Sequence, residues 1–393
     1  MSIEAHIFNP TCEMEVANGE VSYMPPVYLQ KFTEDLEMLP LVYAKPNDCV
    51  LLRQPPDLQH IERLRMAGFD LPSFLLLSEI KSLSKEYKPR PWGWSPAIVK
   101  QLKTLEAVWN SELKPFFSRQ FSLNILQQLL QNNLPRVIDS NKTARYANSL
   151  SEVENLLLQW GRAVIKAPYS SSGRGVQILR NSQLNVNIIN RTRSIIAAQG
   201  GVMVEPYYDK ICDFAYEFKI VDGVISFAGY SSFLTNENGQ YEGHVLPFNP
   251  NNFSKEAANL WNIGVVNAAL EELLPILQNS GIAALYEGYF GVDALIFRDS
   301  DGSVRLQPCL EINLRNNMGI VALHLEKHIA DYSICEFKII SNTSVSLTIF
   351  DKDFTVKYPL VMEGSKIVSG YLPITPPAEN AQTMAYLLVS SNQ

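Results

Sequence analysis

Residues 163–178 read A-V-I-K-A-P-Y-S-S-S-G-R-G-V-Q-I. An apolar run ends at Lys166, a short polar turn follows, and a second apolar run starts after Gly175. The pattern predicts two antiparallel strands joined by a loop. Backbone N–H groups of residues 170–175 could hold phosphate oxygens, with Lys166 as a fixed positive charge. On the loop alone, an ordinary polar hairpin tip is the favoured interpretation, so a role at phosphates depends on the rest of the chain.

The loop differs from both common phosphate-binding loops. A Walker A loop carries its lysine after the glycines, whereas Lys166 precedes them. A dinucleotide-binding fingerprint opens a helix, whereas residues 173–175 give only G-R-G before the strand-like V-Q-I-L. The stretch is therefore interpreted as a strand, a loop and a second strand.

The composition is typical of a globular protein with more than one hydrophobic core. The chain has 393 residues, of which 46% are hydrophobic and 19% are charged, so two or three domains are expected. A net charge of −7 argues against a broad nucleic-acid-binding surface, because such a surface needs a basic excess. Five scattered cysteines without a C-x-x-C pair predict free thiols rather than disulfides or a cysteine-ligated zinc site.

The sequence gives no sign of secretion or of membrane insertion. The N-terminus lacks a basic segment followed by a long apolar run, and no apolar run approaches the roughly 20 residues that span a bilayer. Free thiols are typical of a reducing compartment. The chain is therefore predicted to be cytoplasmic, with neither a membrane nor a nucleic acid as a partner.

The pattern of apolar residues divides the chain into three parts. Residues 1–130 alternate short apolar runs with segments of helical spacing, which predicts an α/β N-terminal domain with a partly parallel sheet. Residues 136–330 carry further strands and the turn signal Asp222-Gly223. Residues 331–393 are rich in β-branched residues and predict a small β-rich C-terminal extension, in which the segment after Pro373 is an edge or a tail.

Several individual elements are expected within these parts. Strands are predicted at residues 39–43 and 49–52. Helices are predicted at residues 97–109 and 260–277, where apolar residues recur at helical spacing.

Polar residues on two later strands predict a metal site. In L-E-I-N-L-R-N-N-M-G, residues 310–319, alternation puts Glu311, Asn313 and Arg315 on one face of a strand. The D-S-D-G turn lets this strand pair with G-V-D-A-L-I-F, which can bring Asp293 beside Glu311. Two carboxylates and an amide oxygen form a set suited to Mg²⁺. The alternative is a group of solvated charges on a strand face.

Four motifs, in this order, resemble the ATP-grasp superfamily. They are Lys166 before a Gly/Ser loop, V-M-V-E-P-Y, G-Y-F-G-V-D and E-I-N-L-R-N-N-M-G. The resemblance covers residues 136–330 and implies a nucleotide held between two lobes, residues 136–205 and 206–330. The fold class is then α+β, with an α/β N-terminal domain, a two-lobed ATP-grasp fold and the β-rich extension.

The resemblance also implies cofactors and a set of site residues. The cofactors are ATP and Mg²⁺, with Mn²⁺ as an alternative metal. The residues implied at the nucleotide are Lys142 and Lys166 at the phosphates, Ser170, Ser171, Ser172, Gly173 and Gly175 in the loop above them, Glu205, Tyr207 and Tyr208 at the adenine, and Asp213 at the ribose. Asp293, Glu311 and Asn313 match the magnesium ligands. Lys166 and Arg315 match catalytic residues, and Arg315 is implied to contact the acyl phosphate or its substrate.

The activity implied by the resemblance is that of a carbon–nitrogen ligase. Such an enzyme uses ATP to turn a small-molecule carboxylate into an acyl phosphate, which an amine or similar nucleophile attacks, with release of ADP and phosphate. A small-molecule kinase and a non-catalytic nucleotide-binding protein on the same scaffold remain alternatives. The partners implied are small molecules; the oligomeric state stays open, a homodimer being one option.

Other polar residues have competing interpretations. His324 and His328 lie four apart, but H-L-E-K-H is not H-E-x-x-H, so a helix face is favoured over a zinc site. His244 is predicted in a polar loop, where it could reach the phosphates or the acceptor substrate, although a histidine without a role is favoured. Cys12 has no histidine partner for a nucleophilic role.

Polar residues also follow the first strand, where α/β domains commonly bind ligands. Substrate contacts and ordinary turn chemistry are both open for these residues, which are Asn9, Glu13, Glu15 and Asn18.

Overall fold

Three β-sheets organise the protein in a computed structural model that describes residues 3–82, 87–170, 175–181, 183–235, 241–341 and 345–391. The strands are β1 (Ile3–Ile7), β2 (Cys49–Leu52), β3 (Ser73–Leu76), β4 (Tyr87–Pro91), β5 (Arg145–Ala147), β6 (Ala163–Lys166), β7 (Val176–Leu179), β8 (Val202–Pro206), β9 (Asp209–Val221), β10 (Val224–Thr235), β11 (Tyr241–Leu246), β12 (Gly288–Arg298), β13 (Val304–Asn313), β14 (Ser333–Ser341), β15 (Val361–Glu363), β16 (Lys366–Pro373) and β17 (Thr383–Ser391). The α-helices are α1 (Cys12–Asn18), α2 (Val27–Asp35), α3 (Leu58–Met66), α4 (Pro96–Gln101), α5 (Arg119–Leu130), α6 (Leu150–Trp160), α7 (Val186–Gln199), α8 (Lys255–Asn262), α9 (Val265–Asn279), α10 (Ile282–Leu285), α11 (Met318–Leu325) and α12 (Leu347–Lys357).

The first sheet is parallel and has the order β3-β2-β1-β4. It confirms the predicted α/β character of the N-terminal part and the strand at 49–52. The strand predicted at 39–43 is wrong, because Leu39–Val42 is a buried 3₁₀ helix. Pro40 cannot donate to a strand ladder but is tolerated in the first turn of a helix. The helix predicted at 97–109 is also too long, since α4 ends at Gln101.

The second sheet contains the quoted hairpin. Its order is β5-β8-β6-β7, and all its pairs are antiparallel. β6 and β7 pair with Lys166 opposite Val176, which confirms the predicted strands on either side of the loop. Buried apolar residues from α6 and these strands form a small core of their own, and partly buried residues of α7 pack against it.

The third sheet has nine strands in the order β13-β12-β9-β10-β11-β14-β17-β16-β15. β9 and β10 join through Asp222 and Gly223, whose φ angles are 49° and 76°, as a tight hairpin turn of this kind requires. Residues 260–277 do not form one helix. The helix α8 ends at Asn262 and α9 begins at Val265, with a bend of 57° and with Gly264 at a φ of 80° between them.

The C-terminal strands continue the third sheet. β17 lies between β14 and β16, so the segment after Pro373 is neither an edge nor a tail. The β-branched segment at 347–357 is the helix α12 instead of a strand. Ser346 caps its N-terminus, and Phe350 and Phe354 stack at 3.9 Å, because the aromatic residues recur at helical spacing.

Within the described ranges, no single helix is long and apolar enough to cross a membrane. The bent pair of α8 and α9 passes that test by length and composition.

Candidate active site

Alternation along the strands divides the third sheet into an apolar and a polar face. Tyr216, Phe218, Phe290 and Val292 belong to the main hydrophobic core, together with residues of α5, α8 and α9. The intervening residues face the other way. They include Glu217, which is opposite Gly291 in the ladder of β9 and β12.

The predicted metal ligands come together on the polar face. Asp293 is directly opposite Glu311 in the β12–β13 ladder, and Asn313 is opposite Gly291. Burial and the negative charges of Glu311 and Glu217 raise the pKa of Asp293 well above its usual value. A divalent cation would relieve this repulsion, and carboxylate and amide oxygens suit Mg²⁺. The residues present therefore fit a magnesium ion.

Arg119, the first residue of α5, connects this face to the hairpin loop. Its guanidinium donates to Glu311 Oε1, to the Ala167 carbonyl and to Ser170 Oγ, each at 2.7 Å. The side chain is buried, and its Nε has no partner among the described residues. Sequence reasoning missed Arg119. The available signal was a cation in the first turn of a helix, where the helix dipole disfavours positive charge.

Lys166 and Glu205, predicted at opposite ends of the nucleotide, form a direct ion pair. Lys166 Nζ lies 2.5 Å from Glu205 Oε1, and both side chains are buried. The pair forms because β6 and β8 are neighbours, with Val164 opposite Glu205 and Lys166 opposite Met203. Lys166 therefore stands at the end of β6 with its charge fixed beside the entry to the loop.

Lys142 has a carboxylate partner of its own. Its Nζ lies 2.6 and 2.7 Å from the two oxygens of Asp299, in the turn between β12 and β13. The Tyr208 hydroxyl donates to the carbonyl of Lys142 at 2.9 Å. Of the cations predicted at the phosphates, the structure thus places Lys166 at the loop entry and ties Lys142 to the Asp299 turn.

The remaining predicted nucleotide residues lie around β8, β9 and the loop. Asp213 accepts from Lys210 at 2.5 Å and from Thr235 at 3.0 Å. The N–H of Tyr207 donates to the Arg162 carbonyl at 3.1 Å. Gly175 has a φ of 81° at the return of the loop. Three predicted loop residues, Ser171, Ser172 and Gly173, lie outside the described residues.

Arg315 joins the N-terminal sheet to the polar face. Its Nη2 donates to Asn313 Oδ1 at 2.9 Å, and its Nε lies 3.1 Å from Glu13 Oε1. Glu13 lies in α1, which follows the carboxyl end of β1. Gly93, after β4, leaves the space for this contact, because a Cβ there would collide with Cys12 Sγ and lie 3.1 Å from Arg315 Cβ.

The other polar residues after β1 have structural contacts. Asn9 bonds the backbone of Gly93 with both ends of its amide, at 2.7 and 3.2 Å. Glu15 accepts from Thr11 at 2.7 Å and from Ser95. Asn18 accepts from the N–H of Glu20 at 3.2 Å, which is turn chemistry. Of the four residues singled out in the sequence, Glu13 alone contacts a predicted site residue through its side chain in the described ranges.

Cys12 lies beside this group as a protonated thiol. Burial raises its pKa well above the usual value, with Glu13 adding to the effect. A thiolate is the nucleophilic form, so Cys12 does not have the environment of a catalytic cysteine.

Glu217 is a second residue that sequence reasoning missed. It accepts from Ser231 Oγ and from Asn317 Nδ2, each at 2.8 Å, and burial raises its pKa to about 7. A Cβ at Gly319 would collide with Glu217 and Ser231, so the glycine lets α11 approach the carboxylate. The sequence signal is a lone glutamate within the aromatic strand F-A-Y-E-F.

His324 and His328 make separate contacts. His324 Nε2 lies 3.3 Å from the Tyr289 hydroxyl, and His328 stacks on Phe69 at 3.9 Å. The candidate metal cluster found among the described residues, Glu4, His6 and Asp48, includes neither of them. These contacts agree with the interpretation as a helix face.

His244 belongs to strand β11 rather than to a loop. It is buried, its Nδ1 lies 2.7 Å from the Tyr241 hydroxyl, and burial lowers its pKa to about 3. The folded state therefore resists protonation, whereas an unfolded histidine titrates near pH 6.5. The stability that results is present above pH 6.5 and is lost as the pH falls towards 3.

We expect His244→Asn to weaken this acid sensitivity. Asparagine keeps a polar partner for Tyr241 but does not titrate, so the loss of unfolding free energy between pH 7 and pH 4.5 should be smaller than in the wild type. Urea unfolding at the two pH values measures this loss of unfolding free energy. An equal loss in both proteins would show that His244 does not contribute.

No protein-family model and no curated protein matches the chain. Solved structures do match. N5-carboxyaminoimidazole synthetase from Staphylococcus aureus with ADP has a TM-score of 0.50 at 11% identity, covering 100% of this chain and 95% of that chain. The ADP complex of N5-carboxyaminoimidazole ribonucleotide synthetase has a TM-score of 0.51 at 12% identity, covering 100% and 93%. At these identities the similarity concerns the fold alone. The chain therefore shares the fold of these two structures, which is the ATP-grasp fold that its four motifs predict.

Proposed function

We propose that the protein is an ATP- and Mg²⁺-dependent ligase. It would activate a small-molecule carboxylate as an acyl phosphate, which an amine or similar nucleophile attacks, with release of ADP and phosphate. The observation that carries the proposal is the contact of Arg119 with both Glu311 and Ser170, since it joins the predicted metal ligands to the predicted phosphate loop. The presence of ADP in the two similar structures supports the choice of nucleotide.

Asp293, Glu311 and Asn313 would hold the magnesium ion. The bound ion would supply positive charge to the phosphate oxygens of the nucleotide. Arg119 would add a second positive charge beside the phosphates, because its Nη2 already lies 2.7 Å from Glu311 Oε1. Its Nε is buried and has no partner in the described part of the chain, so it is a further donor available to a phosphate oxygen.

Each cation that would face the phosphates is paired with a carboxylate in this structure. The pairs are Arg119 with Glu311, Lys166 with Glu205, and Lys142 with Asp299. Pairing keeps these charges satisfied before the nucleotide arrives. Phosphate oxygens would then compete for the same donors, together with backbone N–H groups of the loop.

The adenosine would lie along β8 and the start of β9. Glu205 and the backbone around Tyr207 and Tyr208 would bind the adenine, and Asp213 the ribose hydroxyls. Pro206 has no N–H, but its carbonyl remains an acceptor for the adenine amino group.

Arg315 would bind the acyl phosphate. A carboxylate oxygen of the first substrate would attack the γ-phosphorus, and the bond from that phosphorus to ADP would break. The amine nitrogen of the second substrate would then attack the carbonyl carbon, and phosphate would leave with the electron pair of the carbon–oxygen bond. Glu13 and Asn313 hold the guanidinium of Arg315 in place, so catalysis would depend mainly on position and charge.

A substrate screen tests the proposal. Amino acids and small peptides, singly and in pairs, would be incubated with ATP and Mg²⁺, and ADP and phosphate would be measured. The ligase predicts ADP and phosphate only when a carboxylate and an amine are both present. A stable phosphorylated product would instead identify a small-molecule kinase, and a protein that binds ATP without turnover under any pair would be non-catalytic.

A further inference from the structure

A cavity of about 440 Å³ lies between the helix α11 and the strands β10 and β12. Its wall is apolar at Ala228 and Leu323 and polar at Tyr289, His324 and Lys327. Small-molecule sites have volumes of roughly 300–1,000 Å³ and combine an apolar wall with a few convergent polar groups. None of the described residues that line this cavity belongs to the predicted nucleotide or metal site.

The shape of the cavity comes from a bulge in β10. The register of β10 against β9 shifts between Phe227 and Gly229, so Ala228 is an extra residue, and it is exposed on the cavity wall. A Cβ at Gly229 would lie 2.9 Å from Leu323 Cδ2, so the glycine lets α11 pack closely against the strand. The cavity is therefore built by the sheet and the helix rather than by a surface loop.

The polar side of the cavity carries a hydroxyl, an imidazole and two nearby ammonium groups. The Tyr289 hydroxyl lies 3.3 Å from His324 Nε2, and Lys219 Nζ lies 4.8 Å from the centre of the Tyr289 ring. Tyr289 is opposite Lys219 in the β9–β12 ladder, so both side chains leave the polar face of the third sheet together. Lys327 joins them from the turn that follows α11.

These groups give the wall a net positive charge. Burial, together with the charges of Lys327 and Lys219, lowers the pKa of His324 to about 4, so the imidazole is neutral near pH 7. No carboxylate among the described residues forms an ion pair with either lysine. Glu326 is the acidic residue of the lining and accepts from the N–H of Phe248 at 2.8 Å, so it offsets one of the two lysine charges and leaves the other.

A small anionic group is the ligand that fits this wall. Carboxylate and phosphate oxygens accept hydrogen bonds from ammonium groups and from a tyrosine hydroxyl, and such charge-assisted bonds are stronger than neutral ones. A cation would be repelled by the two lysines. A neutral molecule would leave their charge uncompensated.

The cavity is separate from the proposed metal site, although both lie on the polar face of the sheet. Along β12, Tyr289 lines the cavity, Asp293 belongs to the metal site, and Gly291 lies between them. A Cβ at Gly291 would collide with Asn317 and lie 2.8 Å from Glu217 Oε2, so these two side chains close the space between the two places.

We propose that this cavity binds a small molecule through a carboxylate or phosphate group. The anionic group would contact Lys327 and Tyr289 beside His324, with the charge of Lys219 next to the tyrosine ring. The site is additional to the nucleotide and metal sites, and the inference goes beyond the proposed ligase function without depending on it.

The test measures the binding of inorganic phosphate, acetate and acetamide to the whole protein by NMR of the probe molecules. Acetate and acetamide have nearly the same size but differ in charge, so this pair isolates the effect of the anionic group. We expect phosphate or acetate to bind and acetamide not to bind. The anion that binds more tightly distinguishes a phosphate ligand from a carboxylate ligand.

Two variants of exposed residues place the binding in the cavity. Lys327→Gln should weaken anion binding about tenfold or more, as for a lost hydrogen bond to a charged group. Ala228→Glu puts a negative charge on the cavity wall and should abolish binding. Lys352→Gln changes an exposed lysine of α12 and is the matched control, which should bind anions like the wild type. Melting temperatures show that each variant is folded.

The double variant Lys166→Gln/Glu205→Gln separates the cavity from the predicted phosphate loop, because it removes the lysine at that loop together with its buried partner. Anion binding that survives in this variant but is weakened by Lys327→Gln and Ala228→Glu belongs to the cavity. Binding that is lost in the double variant but kept in the other two belongs to the nucleotide site, which overturns the inference and leaves the proposed function intact. Absence of anion binding to the wild type, or equal affinities in the wild type, Lys327→Gln and Ala228→Glu, overturns it as well.

Discussion

Replacing Glu311 by glutamine is expected to lower ADP formation by on the order of 10²–10³-fold, the usual cost of removing one group that stabilises transition-state charge. Glutamine has nearly the same size as glutamate but no negative charge. Glu311 would need that charge to bind magnesium, and its ion pair with Arg119 depends on it. Turnover with a substrate pair found by the screen would be measured across a range of Mg²⁺ concentrations. We expect the variant to require much more Mg²⁺ for half-maximal activity.

The matched control is Glu336→Gln. Glu336 is also on a strand of the third sheet and pairs with Lys338 at 2.6 Å, but it lies on β14, four strands away from β12. This variant should keep the turnover and the Mg²⁺ requirement of the wild type. If Glu311→Gln formed ADP at the wild-type rate with the same Mg²⁺ requirement, Glu311 would not be a metal ligand.

The second large effect is expected for Lys166→Gln. Removing a charged donor to a phosphate should raise the Kd for ATP by about 10- to 100-fold, since hydrogen bonds to charged groups contribute about 1.5–3 kcal/mol. Turnover should fall further, because Lys166 would also stabilise charge in the transition state. Calorimetric titration and steady-state ADP release measure the two effects separately.

Lys166→Gln also leaves Glu205 buried without its cation, which should cost about 3–5 kcal/mol of unfolding free energy. The double variant Lys166→Gln/Glu205→Gln should recover much of that stability but not the turnover. Lys338→Gln, a paired lysine on β14, controls for loss of a surface charge. If the double variant recovered both stability and turnover, the role of Lys166 would be structural.

The parts of the fold that depend on local pattern could be predicted from the sequence. The period of two along β12 and β13, with a D-S-D-G turn between them, predicts that Asp293 and Glu311 lie on paired strands, but their directly opposite positions also depend on a register shift between Asp293 and Leu295. The strands on either side of the 163–178 loop follow from its two apolar runs in the same way. The order of the four motifs predicts the ATP-grasp fold, which is confirmed.

The contacts between distant elements could not be predicted. Arg119 precedes Glu311 by 192 positions, and Glu13 reaches Arg315 only because the N-terminal sheet packs at the end of β13. No local pattern encodes such a pair. The contacts of Glu217 could not be predicted for the same reason, because its partners Ser231 and Asn317 come from β10 and from the start of α11.

Two differences between the predicted and the observed secondary structure have local causes. At residues 39–42, hydrophobic content predicts a strand, but a proline that cannot join a ladder favours a 3₁₀ turn. In α12, β-branched content competes with the helical spacing of its aromatic residues, and the packing of those residues decides the outcome.

Calorimetric titration of the protein with ATP, in Mg²⁺ and then in EDTA, measures whether the chain binds nucleotide together with a metal ion. We expect one ATP to bind per chain, more tightly with Mg²⁺ than with EDTA, and we expect Glu311→Gln to remove this difference. Absence of binding at millimolar ATP, or an affinity that Mg²⁺ does not change, would contradict the proposed function.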